Sequence, residues 1–519
     1  MTTDSSAAAA PEAESPSSGQ LPRVLGLYSA VFVVVGSVIG SGVFLKANKI
    51  ASALPDFTSI ISVWVLVGIV TLCGSLALAE LAAMFPHAGG TYVYLREAYG
   101  RLPAFLWGWT EFWIIRTGSV GALSCATVIY LNQVVPISIA MQEALAILIV
   151  VGLAVVNVVG TRWGAGMQNV TTMVKVGFLG AIILLPWLMG QIHPSYLAER
   201  ISKPPEYDFF KAYGLAMIAV LWAYDGWINI GPVAEEIHHP QRNVPLALIF
   251  GALLIMAVYV GANFSYHLVL PIQDIAEVPG TKRVVVADLF RQLFGPVGAK
   301  IAALGVMCST FGAVNGNLLT GPRIWFAMSR DRMVPAGLSR IHPRWKTPAN
   351  AIILQAAWTV TLIVAVYALN SRSSTAKTDA SAAKTHSQSG SVGLNSGSAP
   401  PAKTATGSGA TTEAAAKELA AAGKAHDAFD ALTDFVIFGG QIFYALAVGA
   451  VFVCRRTHPH LARPYRTWGY PFTPAIYLLA FVAALISLLV EKWQQSLAGS
   501  VIILAGAIYY AYVSRRSGA

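Results

Sequence analysis

The chain has 519 residues, of which 55% are hydrophobic and 12% charged, with a formal net charge of +10. A soluble domain carries about a quarter charged residues, so this composition marks an integral membrane protein and excludes a soluble globular one. The positive charge is not a nucleic-acid footprint, because the basic residues gather in short loops between apolar stretches instead of forming one patch.

Residues 1–22 are rich in Ala, Ser, Pro and Glu and lack the charged start and apolar run of a cleaved signal peptide. They are expected to form a disordered cytoplasmic tail. Beyond them, apolar stretches of the length a ~30 Å hydrocarbon core demands recur along the chain. Twelve are expected: 24–54, 58–85, 103–133, 143–159, 168–190, 209–237, 246–270, 299–328, 348–370, 431–454, 472–490 and 495–513. Residues 23–370 thus carry spans one to nine, residues 429–516 carry spans ten to twelve, and residues 517–519 form a cytoplasmic C-terminus. Between spans two and three, Gly89 to Gly100 is short and amphipathic, and is expected to lie along the interface. The four cysteines, Cys73, Cys125, Cys308 and Cys454, fall within or at the end of apolar spans, so a structural disulfide is not expected.

Loop charges set the orientation. The loop after span eight carries Arg330, Arg332, Arg340, Arg344 and Lys346, and the loop after span ten carries Arg455, Arg456, Arg463 and Arg466. Both are predicted inside, which places both termini in the cytoplasm. Residues 371–428 form a low-complexity insert in the outside loop between spans nine and ten, with a composition that cannot bury a core.

Two spans are interrupted. The first carries GSVIGSG (Gly36 to Gly42) at mid-depth, and the sixth carries Asp225, Gly226, Gly231 and Pro232 amid apolar residues. Irregular backbone inside a membrane is tolerated only against protein or a wet cavity. The glycines also suit close helix packing, which remains an alternative. Breaks in corresponding members of two five-span blocks point instead to an inverted-repeat transporter with its binding site at the midplane. The amides of Gly40, Ser41 and Gly42 open a half-helix, whose positive end suits a carboxylate. The carbonyls near Val38 and Trp222 lose their partners and suit an ammonium group. Together they form a clamp for a zwitterion such as a free α-amino acid. The motif lacks the lysine and flanking strand of a nucleotide site.

Other residues carry open readings. Lys175, deep in span five, is either a cation standing in for a bound sodium ion, holding span one to span eight, or a snorkelling lysine. Trp222 is either a lid over the substrate or a packing residue. Arg116 pairs with Glu80 or Glu111, and Arg323 with Glu235 or Glu236, as a gate latch or a stable corner. Ser119, Asn229, Asn315 and Gln441 are candidates for the pocket wall, although Asn315 and Asn317 also suit helix-to-helix hydrogen bonding. No metal set emerges, since His238 and His239 stand alone in a loop, and no nucleophile–base pair supports an enzyme. No cofactor is expected.

At VGSVIGSGVF, AELAAMFPHAGGTYVYLREAYGRLPAF, EFWIIR, AYDGW…AEEIHHPQRNVP and FGAVNGNLLTGPR…MSRDRMVP, the chain resembles the amino acid–polyamine–organocation superfamily. Within it the likeness is closest to the L-amino acid transporter family of bacterial exchanger type. The resemblance implies an all-α LeuT-type fold: a 5+5 inverted repeat with helices 1 and 6 broken, plus two extra helices. It implies substrate-carboxylate contacts at Gly40, Ser41 and Gly42, and ammonium contacts at the carbonyls of Val38, Trp222 and Asp225. The aromatic lid falls on Trp222, the fifth-helix lysine on Lys175, and side-chain positions on Ser119 and Gln441. The absence of a cysteine after the third helix, in YLNQVVPISIAMQEA, implies that no disulfide-linked heavy chain is held there. The expected function is sodium-independent exchange or facilitated passage of neutral L-amino acids in a bacterial inner membrane. If the Asp225 side chain enters the pocket, a cationic amino acid or polyamine becomes the alternative substrate. A non-transporting sensor would need signalling tails, and the tails here carry no domain.

Overall fold

The computed structural model describes residues 20–276, 284–368, 439–491 and 493–517. The tail to residue 19, the insert at 371–428 and residues 431–438 of the tenth expected span lie outside the described residues. Those described are almost wholly helical, with two isolated bridges and no strand among them. That outcome follows from the medium: a helix satisfies its own N–H and C=O groups where hydrocarbon offers no partner.

The first span is three pieces, α1 (Leu27–Val38), α2 (Gly42–Leu45) and α3 (Ala47–Ala53), separated at the glycine motif. Next come α4 (Phe57–Met84), the short α5 (Thr91–Tyr99), and α6 (Arg101–Thr110), which runs through a π-turn at Glu111–Ile115 into α7 (Arg116–Val134). Then follow α8 (Ile139–Val159), α9 (Thr161–Leu188) and α10 (Phe209–Ala223), after which span six continues as a 3₁₀ segment, Trp227–Glu236. The series continues with α11 (Pro240–Val269), the single turn α12 (Ile272–Ile275), α13 (Val285–Phe294), α14 (Pro296–Thr320) and α15 (Pro322–Arg330). It closes with α16 (Ala349–Ala368), α17 (439–457), α18 (Phe472–Glu491) and α19 (Trp493–Ser517). Among the described residues nine of these helical runs are long and apolar enough to cross a membrane. The split span six, the partly described α17 and α19 occupy the remaining three expected positions.

Three differences from the sequence reading matter. Packing begins earlier than residue 23: Leu21 is buried against Ala88 and Phe326. Span five starts at Thr161 and not at 168. Its opening, TRWGAGMQ, looks too polar to be membrane helix, yet Thr161, Gly164, Ala165 and Gln168 face the interior and are buried there. Helix α13 was not expected at all; its Val285, Val286, Leu289, Phe290 and Leu293 are buried, a spacing that puts them on one face.

Helix α1 lies at the centre, touched by α9, α11, α14 and the 3₁₀ segment, while α4 runs along α11 and α7 along α14. The segment at Gly89 and Gly90 rests on protein: a side chain at Gly90 would stand 2.5 Å from the Gly231 backbone. Both glycines hold positive φ, +106° and +51°, which L-residues rarely adopt.

Candidate functional site

The breaks of spans one and six meet at backbone contact. A Cβ on Gly42 would lie 2.5 Å from Ala223 Cα, and one on Gly226 would lie 3.0 Å from the Ser37 carbonyl oxygen. Gly226 also sits at φ +103°, so glycine is required there twice over. Between the breaks is a hollow lined by Ser37, Val38, Gly40, Ser41, Gly42, Ser119, Leu123, Trp222, Asp225, Gly226, Asn229, Ala313 and Asn317. It offers about 40 Å³ to the centres of water-sized groups. One water needs ~10–15 Å³ on that measure, so the hollow takes about three or four such groups at once.

The donors are clearest. Among the described residues, the amides of Ser41 and Gly42 donate to no protein acceptor. The Ser37 and Ser41 hydroxyls are buried without a partner and belong to the same wall. Three of these donors, the two amides and the Ser41 hydroxyl, therefore stand where α2 begins, which is the chemistry a carboxylate needs, while the Ser37 hydroxyl stands beside Gly316 of α14. The third expected amide is different: Gly40 N–H donates to Val38 O at 2.7 Å. Ile39, with φ −71° and ψ 86°, makes this an inverse γ-turn.

That turn also corrects the acceptors. The Val38 carbonyl is not left without a partner, because it receives Gly40 N–H and, at 3.2 Å, the Tyr259 hydroxyl. The Trp222 carbonyl likewise receives Asp225 N–H at 3.2 Å, since the broken end of α10 tightens into a turn. The carbonyls that receive no donor among the described residues, on the wall of the hollow, belong to Ser37 and Asp225. Asp225 was expected from the family likeness; Ser37 was not singled out, although it lies inside the glycine motif.

Side chains sort as follows. Trp222, Ser119 and Asn229 line the hollow, as expected, but Gln441 does not. It lines a second, smaller and apolar cavity with Val67, Val70, Met217, Leu221, Tyr477, Ala480 and Phe481, because its turn of α17 faces α4 and α18. The residue of α17 that reaches the site is Tyr444, one turn on, whose hydroxyl donates to Asp225 Oδ1 at 2.8 Å. Asn315 is a helix linker: its Nδ2 donates to Gly164 O and Gln168 Oε1, and its Oδ1 accepts from Asn157.

Lys175 is fully buried and donates to Gly36 O at 2.7 Å. Gly36 is in the last turn of α1, where carbonyls lose their helical donors and the helix dipole is negative. The Lys175 amine supplies the missing donor, and complete burial excludes snorkelling. Its Cε stands against Gly312 of α14, so span one is held through Lys175 with span eight behind it. Ser309, also on α14, donates to Gly40 O at 2.8 Å. Tyr259 Oη lies 3.2 Å from Val38 O and 3.0 Å from Ala223 O, bridging the two broken ends.

One end of the bundle is closed by ion pairs. Arg323 binds Glu236 at 2.8 Å and Thr161 at 3.0 Å, all of them buried. Arg330 binds Glu235, which also accepts Leu21 N–H and Ala88 N–H. Arg116 pairs with Glu111, and Glu80 pairs with Arg455 instead.

Two interrupted helices joined at their breaks around a small polar hollow define a multi-pass membrane transporter of LeuT-type fold. The chain belongs to the amino acid permease family, whose model matches residues 25–512. It is 28% identical to the Serine/threonine exchanger SteT of Bacillus subtilis, over 96% of this chain and 98% of that protein. It is 31% identical to the b(0,+)-type amino acid transporter 1 of Homo sapiens, over 66% of this chain and 70% of that one. It is 30% identical to the Large neutral amino acids transporter small subunit 2 of Mus musculus, over 68% and 67%. The family transports amino acids and is not enzymatic.

Proposed function

We propose that this protein is a sodium-independent exchanger or facilitator of neutral L-amino acids, working by alternating access as spans one and six rock against the rest. The observation that carries the reading is that the residues lining one hollow hold both unpartnered amides, of Ser41 and Gly42, and unpartnered carbonyls, of Ser37 and Asp225. A zwitterion on one carbon satisfies both. The buried Lys175 amine, which donates to Gly36 O at the end of α1, supports a site stabilised without sodium. Trp222 is read as the lid over the substrate, and Ser119 and Asn229 as contacts for its side chain.

In this reading the ion-paired end at Glu236 and Arg323 faces the cytoplasm with both termini, in a bacterial inner membrane, as the basic loops favour. No disulfide-linked heavy chain is needed. A second reading has one specific support: Asp225 lines the hollow, and a carboxylate there suits a cationic amino acid or polyamine.

Uptake of labelled serine, leucine, arginine and putrescine into proteoliposomes, with and without internal amino acid, decides between them. Saturable serine uptake stimulated from the opposite side and unaffected by sodium is expected. Preference for arginine or putrescine would replace the neutral reading, and absence of stimulation would remove exchange.

A further inference from the structure

We infer that Arg116 is a positioning residue that fixes the amide of Asn229, so that the pocket presents a hydrogen-bond donor to an oxygen on the substrate side chain. This deepens the reading above and rests on it. Arg116 is buried and held by a double hydrogen bond to Glu111, at 2.8 and 3.0 Å. Its two remaining contacts go to pocket residues: Nη1 donates to Asn317 Oδ1 at 2.8 Å, and Nη2 donates to Asn229 Oδ1 at 2.9 Å.

An arginine has N–H donors and no acceptor. Facing it, a carboxamide must turn its oxygen inward, which settles which way both asparagines point. Asn317 then spends its Nδ2 on Ala313 O, at 2.9 Å. Asn229 Nδ2 has no such use: among the described residues it donates to no acceptor. It is directed toward Gly226, where an added Cβ would lie 3.4 Å away, on the wall of the hollow. The Ser119 hydroxyl in the same wall rotates freely between donor and acceptor, so it cannot impose a sign. The amide locked by Arg116 can. A short side chain carrying an acceptor oxygen is matched, whereas a hydrocarbon of equal size leaves the N–H group unpaired.

The test compares pairs of substrates within each variant, so that a loss common to both members cancels. Competition against serine exchange in proteoliposomes is measured for O-methylserine against norvaline, and for serine against 2-aminobutyrate. In wild type the oxygen-bearing member of each pair is expected to compete better by about three- to tenfold, the range of one hydrogen bond. N229L is expected to bring both ratios near one. N229D keeps an oxygen for Arg116 but replaces the donor with an acceptor, so O-methylserine falls below norvaline. R116K retains a donor toward Oδ1 and keeps the preference, while the paired E111Q/R116M frees the amide to turn and loses it.

Equal competition within both pairs in wild type overturns the inference, whether or not any variant reaches the membrane. Unchanged ratios in N229L and N229D do the same. A wild type that takes up no neutral amino acid is a different result: it removes the substrate reading and this inference with it.

Discussion

Gly42→Ala isolates what the glycine motif does. The added methyl would stand 2.5 Å from Ala223 Cα and 2.8 Å from its Cβ. Carbon atoms pack at about 3.5–4.0 Å, so the two breaks must part by about 1 Å. The nearest obstacle is backbone, which no rotamer change can move aside. Overpacking of this kind costs about 1–3 kcal/mol, equivalent to roughly a five- to 150-fold loss if it falls wholly on the state in which the breaks touch. Gly40→Ala is the internal control from the same motif, because its methyl would meet nothing closer than Ala313 Cβ at 3.7 Å. Gly177→Ala in α9 is the neutral control, with nothing within 4 Å. Exchange is measured in proteoliposomes at matched protein content, with thermal unfolding of the purified variants followed alongside. The expected order of activity is Gly177→Ala, then Gly40→Ala, then Gly42→Ala far below. Gly42→Ala within twofold of wild type would refute the claim that these two backbones must touch.

Ser41→Pro removes an amide from the carboxylate cradle and is expected to abolish uptake, whereas Ser41→Ala removes one hydroxyl and costs about tenfold or less; equal losses would transfer the role to the hydroxyl. Lys175→Met leaves Gly36 O without its donor and is expected to slow turnover at least tenfold without conferring sodium dependence, read by uptake in sodium and choline buffers. Tyr259→Phe takes away the hydroxyl shared by Val38 O and Ala223 O; it is expected to raise the apparent KM several-fold with little change in melting temperature. An equal fall in stability would reduce Tyr259 to a packing residue. Arg323→Ala should destabilise strongly by leaving Glu236 charged and buried, and the paired Arg323→Met/Glu236→Gln should recover much of the melting temperature.

The span pattern, the two breaks and the free amides of Ser41 and Gly42 were legible in sequence because each depends on local features: run length, glycine placement and the start of a half-helix; the Gly40 amide was not, since it closes a turn onto Val38 O. The acceptors were not. Whether a carbonyl near a break is free depends on how the chain turns beyond it, and a γ-turn at Ile39 occupies Val38 while leaving Ser37 open. Gln441 shows a different limit. It sits one turn from Tyr444 on a helix that touches both the site and the bundle behind it, and only the helix's rotation decides which residue faces in. The polar opening of span five was misjudged for a related reason: its glutamine and its threonine meet asparagine and arginine partners far away in sequence.

The ion-paired end and the substrate hollow are joined by one element. The 3₁₀ segment Trp227–Glu236 begins next to Gly226 in the break and ends at the ion-paired Glu235 and Glu236. It is ten residues long, where 3₁₀ runs seldom exceed three or four, and its poorer hydrogen-bond geometry stores less stability per turn than an α-helix would. Pro232 removes a donor from its middle, and Gly231 packs directly on Gly90. At about 2 Å per residue it spans about 20 Å, the distance from the break to the buried Arg323–Glu236 pair. The segment meets the first break directly, because Gly226 rests on the Ser37 carbonyl. Gly89 N–H donates to Pro232 O at 3.3 Å and all ten residues are buried, so this strut is held along its whole length and joins the hollow to the ion-paired end as one packed element.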